Sequence, residues 1–293
     1  MSVRSTEARH PQSRGLHRQP ASQAMALLLE AQQDALAALV PAIPSLVRAA
    51  EAGTRALRGG GRMGYAGAGS SGLMALADCL ELPGTFGLDP DRTPILFAGG
   101  PDALLRMHGS VEDEPSLALA DLDRAGLGKD DVLLVVSASG ATPYALTAAT
   151  GAQARGVTVI GIANVADSAL LNAADIPVLL DTGAEMVAGS TRMGAATAQK
   201  VALNMISVLV GIGLGHVHDG HMVNLIADNA KLVDRAARIV AELAGVPRPQ
   251  AEAALARTAG AVKPAILVAR GAAPDAAEST LHENGGHLGP LIG

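Results

Sequence analysis

Gly67-Ala68-Gly69-Ser70-Ser71-Gly72 follows a short apolar run, Met63 to Ala66, and opens an apolar stretch that carries a carboxylate, Glu81, at its far end. That layout is a strand, a small-residue turn and a helix N-terminus. Glycines let a backbone approach a ligand closely, and exposed N–H groups at the positive end of a helix dipole suit a phosphate. A second loop of the same kind, Ser137-Ala138-Ser139-Gly140-Ala141-Thr142-Pro143, follows the run Asp131 to Val136 and opens another helix. Two such cradles in one chain point to a phosphorylated sugar or polyol.

Outward from these loops the pattern alternates. Arg62 to Ala66, Thr93 to Ala98, Asp131 to Val136, Val157 to Ala163 and Ile176 to Leu180 read as buried strands, with helical stretches between most of them. Strands separated by helices imply right-handed crossovers. The expected fold is therefore α/β, a mainly parallel five-stranded sheet flanked by helices, with ligands held outside the carboxyl ends of the strands. Both small-residue loops fall at such ends. Residues 1–22, with Pro11 and Pro20 and no apolar period, read as an N-terminal arm. Ala24 to Leu57 is helical in pattern, divided or kinked by Pro41 and Pro44. Met193 to Leu214 forms a long apolar helix, and Val223 to Ala244 a further amphipathic one. The break Gly245-Val246-Pro247-Arg248-Pro249 then separates a phosphosugar domain, 23–245, from a small helical tail, 246–293.

Composition narrows the function. With no Trp, two Tyr and two Phe in 293 residues, the chain lacks aromatic platforms for stacking sugars or bases, so a sugar must be held by hydrogen bonds and charge. A net charge of −6 without a dense Lys/Arg stripe argues against nucleic acid and against an anionic membrane surface. Gln199, Lys200 and Asn204 inside the long apolar helix favour a buried helix over a membrane span. A single cysteine, Cys79, fits a reducing cytoplasm, and the N-terminus shows no apolar signal core.

Each candidate residue has two readings. Gly67, Gly69 and Gly72 satisfy G-x-G-x-x-G, but a dinucleotide site wants an acidic residue about 20 positions on, at the end of a second strand. Glu81 comes too early, and Asp89 and Asp91 lie in a Pro-containing loop, so the paired serines Ser70 and Ser71 favour a phosphosugar. Glu81 in Leu80-Glu81-Leu82-Pro83 and Glu112 in Val111-Glu112-Asp113-Glu114 are solvated carboxylates unless the fold brings them to the cradle. Arg192, after Glu185 and the run Gly189-Ser190-Thr191, either binds an anion or caps the long helix. His216, His218 and His221 with Asp219 read as a polar turn more readily than as a metal site.

These motifs together resemble the N-acetylmuramic acid 6-phosphate etherases, built on the sugar isomerase (SIS) fold, a three-layer sandwich. The matching segments are Gly67 to Gly72, Glu81 with Pro83-Gly84-Thr85-Phe86-Gly87, Ala98-Gly99-Gly100 followed by Glu112-Asp113, and Ala138 to Tyr144. Gly183-Ala184-Glu185, Gly189 to Met193, Gly194 to Ser207 and Asn229 to Val233 continue the likeness, which starts at Thr6-Glu7 in the arm and fades in the tail. The resemblance implies cleavage of the D-lactyl ether of N-acetylmuramic acid 6-phosphate without metal or organic cofactor, in peptidoglycan recycling, by a cytoplasmic homodimer whose sites are completed near the subunit interface. It implies Glu81 as proton donor to lactate and Glu112 as the second catalytic glutamate, assigned as base. Substrate contacts are expected from Gly69, Ser70, Ser71, Ser139, Gly140, Thr142, Glu185, Ser190 and Arg192.

The chain departs from the family pattern at three positions. Leu73 and Ala141 stand where arginines follow the Ser-Gly of the two loops, and Gly194 replaces the lysine of Arg-Met-Lys. Two other readings stay open beside the etherase: a non-catalytic phosphosugar sensor, and an aldose–ketose isomerase with a carboxylate base such as Glu185.

Overall fold

A computed structural model describes residues 5–293; residues 1–4 of the expected arm lie outside the described residues. The chain divides into two compact units: residues 5–79 with 91–206, and residues 80–90 with 207–293.

The first unit holds the sheet. Helices α1 (Ala21–Ala37) and α2 (Leu39–Arg58) precede strand β1 (Met63–Gly67) and helix α3 (Gly69–Phe86). There follow β2 (Ile95–Phe97), α4 (Gly100–Leu105), α5 (Pro115–Ala125), β3 (Val132–Ser137), α6 (Pro143–Gln153), β4 (Thr158–Ala163), α7 (Ala169–Ala173), β5 (Ile176–Leu179) and α8 (Gly194–Gly213). The strands lie in the order β2-β1-β3-β4-β5, every pair parallel. All five expected strands are present, with edges moved by a residue or two at most ends. On one face α5, α6 and α7 bury Leu122, Tyr144, Ala145 and Ala148 against Leu133, Val135 and Val159. Helix α2 packs against the other face. So few aromatics leave close-packed Ala, Val and Leu to fill this core.

The order of strands explains where a ligand belongs. From β1 the chain moves outward to β2, then returns across β1 to place β3 on its other side. The crevice at such a switch point opens above the carboxyl ends of the two central strands. Gly67 at the end of β1 pairs with Val136 near the end of β3. Both small-residue loops leave the sheet there.

Three expectations need correction. The helical break in the first segment falls at Ala38, where α1 and α2 bend by 48°, and not at a proline. Pro41 sits in the first turn of α2, where a missing N–H is no loss, and Pro44 is carried inside the helix. The N-terminal arm is not free. It forms 3-10 turns from Ser5 onward, buries Thr6 completely, accepts at the Thr6 carbonyl from the Gly189 N–H at 3.1 Å, and makes a parallel backbone β-bridge between Arg9 and Glu185. The stretch from Val223 to Ala244 is helical only over α9 (Ala230–Ala244), which Asn229 caps by accepting from the Leu232 N–H.

In the second unit a two-stranded hairpin, β6 (Val217–His218) and β7 (His221–Met222), precedes α9. Helices α10 (Arg248–Arg257), α11 (Val262–Ala269), α12 (Pro274–Glu283) and α13 (Gly289–Ile292) follow. Ile239, Val240, Ile266 and Leu281 share one core in this unit.

Candidate active site

Gly67 and Gly72 are what let the first loop turn. A Cβ on Gly67 would stand 2.8 Å from the Gly72 Cα, and one on Gly72 would stand 2.8 Å from the Phe97 ring. Side chains at either position would push α3 off the end of β1. Gly69 begins α3 at φ +55°, a left-handed conformation, and a Cβ there would overlap the carboxylate of Glu112. Glu112 therefore does not belong to a solvated acidic run. Its 3-10 turn, Gly109–Asp113, lays the carboxyl over the first residue of α3. Burial there, with a smaller contribution from Asp113, raises its pKa above the usual glutamate value.

The hydroxyls divide into two kinds. Ser71 is buried, and its Oγ accepts from the Ala138 N–H at 3.2 Å, tying the first loop to the second. Ser137 and Thr142 exchange a 3.0 Å hydrogen bond across the second loop, while Ser139 Oγ accepts from the Ala141 N–H at 3.2 Å. Ser70 is partly exposed beside Gly69, and its hydroxyl has no hydrogen bond among the described residues. Gly140, at φ +60°, has no room for a Cβ beside Ser168. Thr142 caps α6 by position without a side-chain bond to its first turn.

Glu185 is placed differently from a free ligand-binding group. It is buried, and its two oxygens accept from the Gly194 and Ala195 N–H groups at 2.9 Å each, capping α8. Gly194 lies against the same carboxylate: a Cβ there would meet Glu185 Oε2 at 3.2 Å. Ser190 is partly exposed in the turn before α8. Arg192 is exposed and pairs with no carboxylate among the described residues. Glu81 is exposed, twelve residues after Gly69 on the same helix, roughly three turns along α3.

Several supporting groups belong to no sequence motif. Asp78, buried, accepts from the Tyr65 hydroxyl at 2.9 Å and from Asn204 Nδ2 at 2.7 Å, linking β1, α3 and α8. Lys200 donates to the same Asn204. Gln199, fully buried, donates to Asn164 Oδ1 at 2.8 Å, and Asn164 donates to the Leu180 carbonyl at 3.0 Å. Helix α8 is long and apolar enough to cross a membrane by composition, yet 56% of that apolar window is buried within the chain. Its polar residues are the signal that sequence offers for such a network. Of the histidine cluster, His218 and His221 pair in register within the hairpin, and His216 precedes it. Among the described residues no group of three or more His, Cys, Asp or Glu side chains converges as for a metal.

A parallel sheet with two hydroxyl-lined loops at its switch point is the architecture of sugar isomerase domains. Residues 29–164 match the SIS domain family. Among solved structures, a putative phosphosugar isomerase involved in capsule formation from Bacteroides fragilis shares the fold, with a TM-score of 0.51 at 22% identity over 64% of this chain and 88% of that one. The N-acetylmuramic acid 6-phosphate etherase of Deinococcus radiodurans is 40% identical over 99% of this chain and 95% of its own length. That of Streptomyces avermitilis is 41% identical over 97% and 91%. The chain belongs to the N-acetylmuramic acid 6-phosphate etherase family.

Proposed function

We propose that this protein cleaves the D-lactyl ether of N-acetylmuramic acid 6-phosphate, releasing D-lactate and N-acetylglucosamine 6-phosphate. The observation that carries the reading is the Glu112 carboxyl laid over Gly69, the first residue of α3. Full-length relatives bearing the etherase name support the substrate.

The chemistry needs two carboxyls. In the open-chain aldehyde the carbonyl acidifies the C2 proton, and lactate at C3 is a β leaving group. A base takes the C2 proton, the electron pair forms the C2–C3 double bond, and the C3–O bond breaks. An acid protonates the departing oxygen. Water then adds at C3 and a proton returns to C2. The raised pKa of Glu112 makes it a stronger base than a solvated glutamate, which suits the first step. Ser70, Ser139, Thr142 and the N–H groups opening α3 and α6 would hold the phosphate and sugar hydroxyls, with Arg192 available as a cation.

The family resemblance, with sites completed near the subunit interface, supports Glu81 in the acid role from a second copy of the chain. An exposed apolar stripe on α1 and α2, with Met25, Leu29, Val40, Ile43 and Val47, gives a homodimer a surface to bury. The single reduced cysteine and the substrate fit a cytoplasmic role in peptidoglycan recycling. Incubation with N-acetylmuramic acid 6-phosphate and assay of D-lactate tests the reading; no lactate at high protein concentration removes it. The absent family cations favour one rival, a phosphosugar sensor, which predicts ligand binding without turnover, indifferent to Glu112→Gln. The capped carboxylate of Glu185 leaves the isomerase reading without a free base at that position.

A further inference from the structure

A cavity of about 340 Å³ adjoins the catalytic turn, in the same compact unit as Glu112. Asp102, Ala103, Leu105, Arg106, His108 and Val111 line it together with Gly99. Gly99 takes φ +80°, and a Cβ there would meet Ala103 at 2.8 Å and Val111 at 3.2 Å, so this part of the lining packs tightly against both. The wall ends at Val111, the residue before Glu112.

Charge in the cavity is uneven. Arg106 and His108 line it with a single carboxylate, Asp102. The Asp102 and His108 main chains are used locally, the first carbonyl accepting from the Arg106 N–H at 3.2 Å and the second from the Val111 N–H at 3.3 Å. The Arg106 guanidinium is exposed and makes no hydrogen bond or ion pair among the described residues. A guanidinium with free N–H groups, in a pocket also lined by buried Ala103, half-buried Val111 and exposed Leu105, matches a short branched carboxylate: a fork for the anion and apolar surface for a methyl.

Resting on the etherase reading, we infer that this cavity binds the lactyl arm of the substrate, with Arg106 pairing its carboxylate. If Glu112 acts at C2, the ether oxygen on C3 lies one carbon away, and the arm hanging from it falls next to Val111. The anion there is distinct from the phosphate held by the two loops. Arg106 thus acts as a specificity contact, selecting the lactyl sugar over the same sugar with a free 3-hydroxyl. It also supplies a cation in a chain that lacks three the family carries.

The test compares two ligands differing only in that arm. Arg106→Ala is expected to raise KM for N-acetylmuramic acid 6-phosphate about tenfold to a hundredfold, the worth of one charge-assisted contact. Inhibition by N-acetylglucosamine 6-phosphate should stay within about twofold of the unaltered protein on the same grounds, and Arg106→Lys should recover part of the loss. Equal weakening of both ligands, or of neither, overturns the assignment while leaving the etherase reading intact. Should the unaltered protein release no lactate, the reaction fails instead, and calorimetric titration of the two ligands decides the pocket: equal affinities overturn it, and a preference for the lactyl sugar lost in Arg106→Ala upholds it.

Discussion

Glu112 works against the stability of the fold it sits in. Its carboxyl is partly desolvated over Gly69, so its folded pKa lies above its unfolded one. A carboxyl shifted upward costs stability where it is ionised, and the cost is relieved as pH falls through the raised value. Glu112→Gln should therefore melt at a higher temperature than the unaltered protein at pH 7, with the difference closing on acidification, as calorimetry across pH would record. The same change removes the base. Its kcat is expected to fall by about 10² to 10⁴, and the acid limb of the pH–rate profile, displaced above the ordinary glutamate range in the unaltered protein, should vanish. Reading Glu112 as a surface residue was reasonable from Val-Glu-Asp-Glu alone. Only the left-handed backbone at Gly69 and the turn at Gly109–Asp113 bring it inward, and both are tertiary facts.

At the scale of elements, strands were legible because each is a run of apolar residues bounded by Gly, Asp or Pro. Hydrophobic pattern locates such runs to within a residue or two. The β6–β7 hairpin was not legible: two-residue strands are too short to show a period, and the histidines in them hide any apolar alternation. The docking of Thr6 was equally silent, since a buried threonine has no signature in sequence. Helix α8 offers a test of its cap. Glu185→Ala would strip both acceptors from the Gly194 and Ala195 N–H groups, and leaving buried donors unpaired should cost about 1–3 kcal/mol in urea denaturation. Glu185→Gln, which keeps one acceptor oxygen, should cost less.

The hairpin unit carries its own pH response. Burial, with Lys263 and His287 nearby, pushes His216 down to about 4, opposed by a hydrogen bond to the Phe86 backbone, and its Nδ1 has no hydrogen-bond partner among the described residues. Lys263, bonded to the Gly286 carbonyl at 3.1 Å, is pushed by burial to about 8. A base with a depressed folded pKa favours folding above its unfolded value of 6.5, and that contribution is lost as pH falls toward 4. Hydrogen exchange corrected for intrinsic rates should show β6, β7 and the Gly285–Gly289 turn opening more readily at pH 5 than at pH 7. His216→Asn should abolish most of the difference.

For the molecule as a whole, the separation of Glu81 from Gly69 along one helix makes the assembly testable. If each site takes Glu81 from one copy and Glu112 from the other, mixing inactive Glu81→Gln and Glu112→Gln proteins under subunit exchange creates hybrids with one intact site and one doubly altered site. Lactate release should reappear at about a quarter of the unaltered rate, given statistical exchange, about half the dimers being hybrid with half their sites working. Activity that stays absent despite confirmed exchange would place both carboxyls in one chain.

Gly69 and Glu112 also bind each other's evolutionary fate. While the glutamate occupies the space over the turn, a side chain at position 69 would have to displace it and adopt the left-handed bend. Once it is replaced by something small, the backbone would admit the residues that tolerate a left-handed bend, such as asparagine. A descendant that abandoned turnover and kept the scaffold to report on its ligand would be recognised by those two substitutions arriving as a couple.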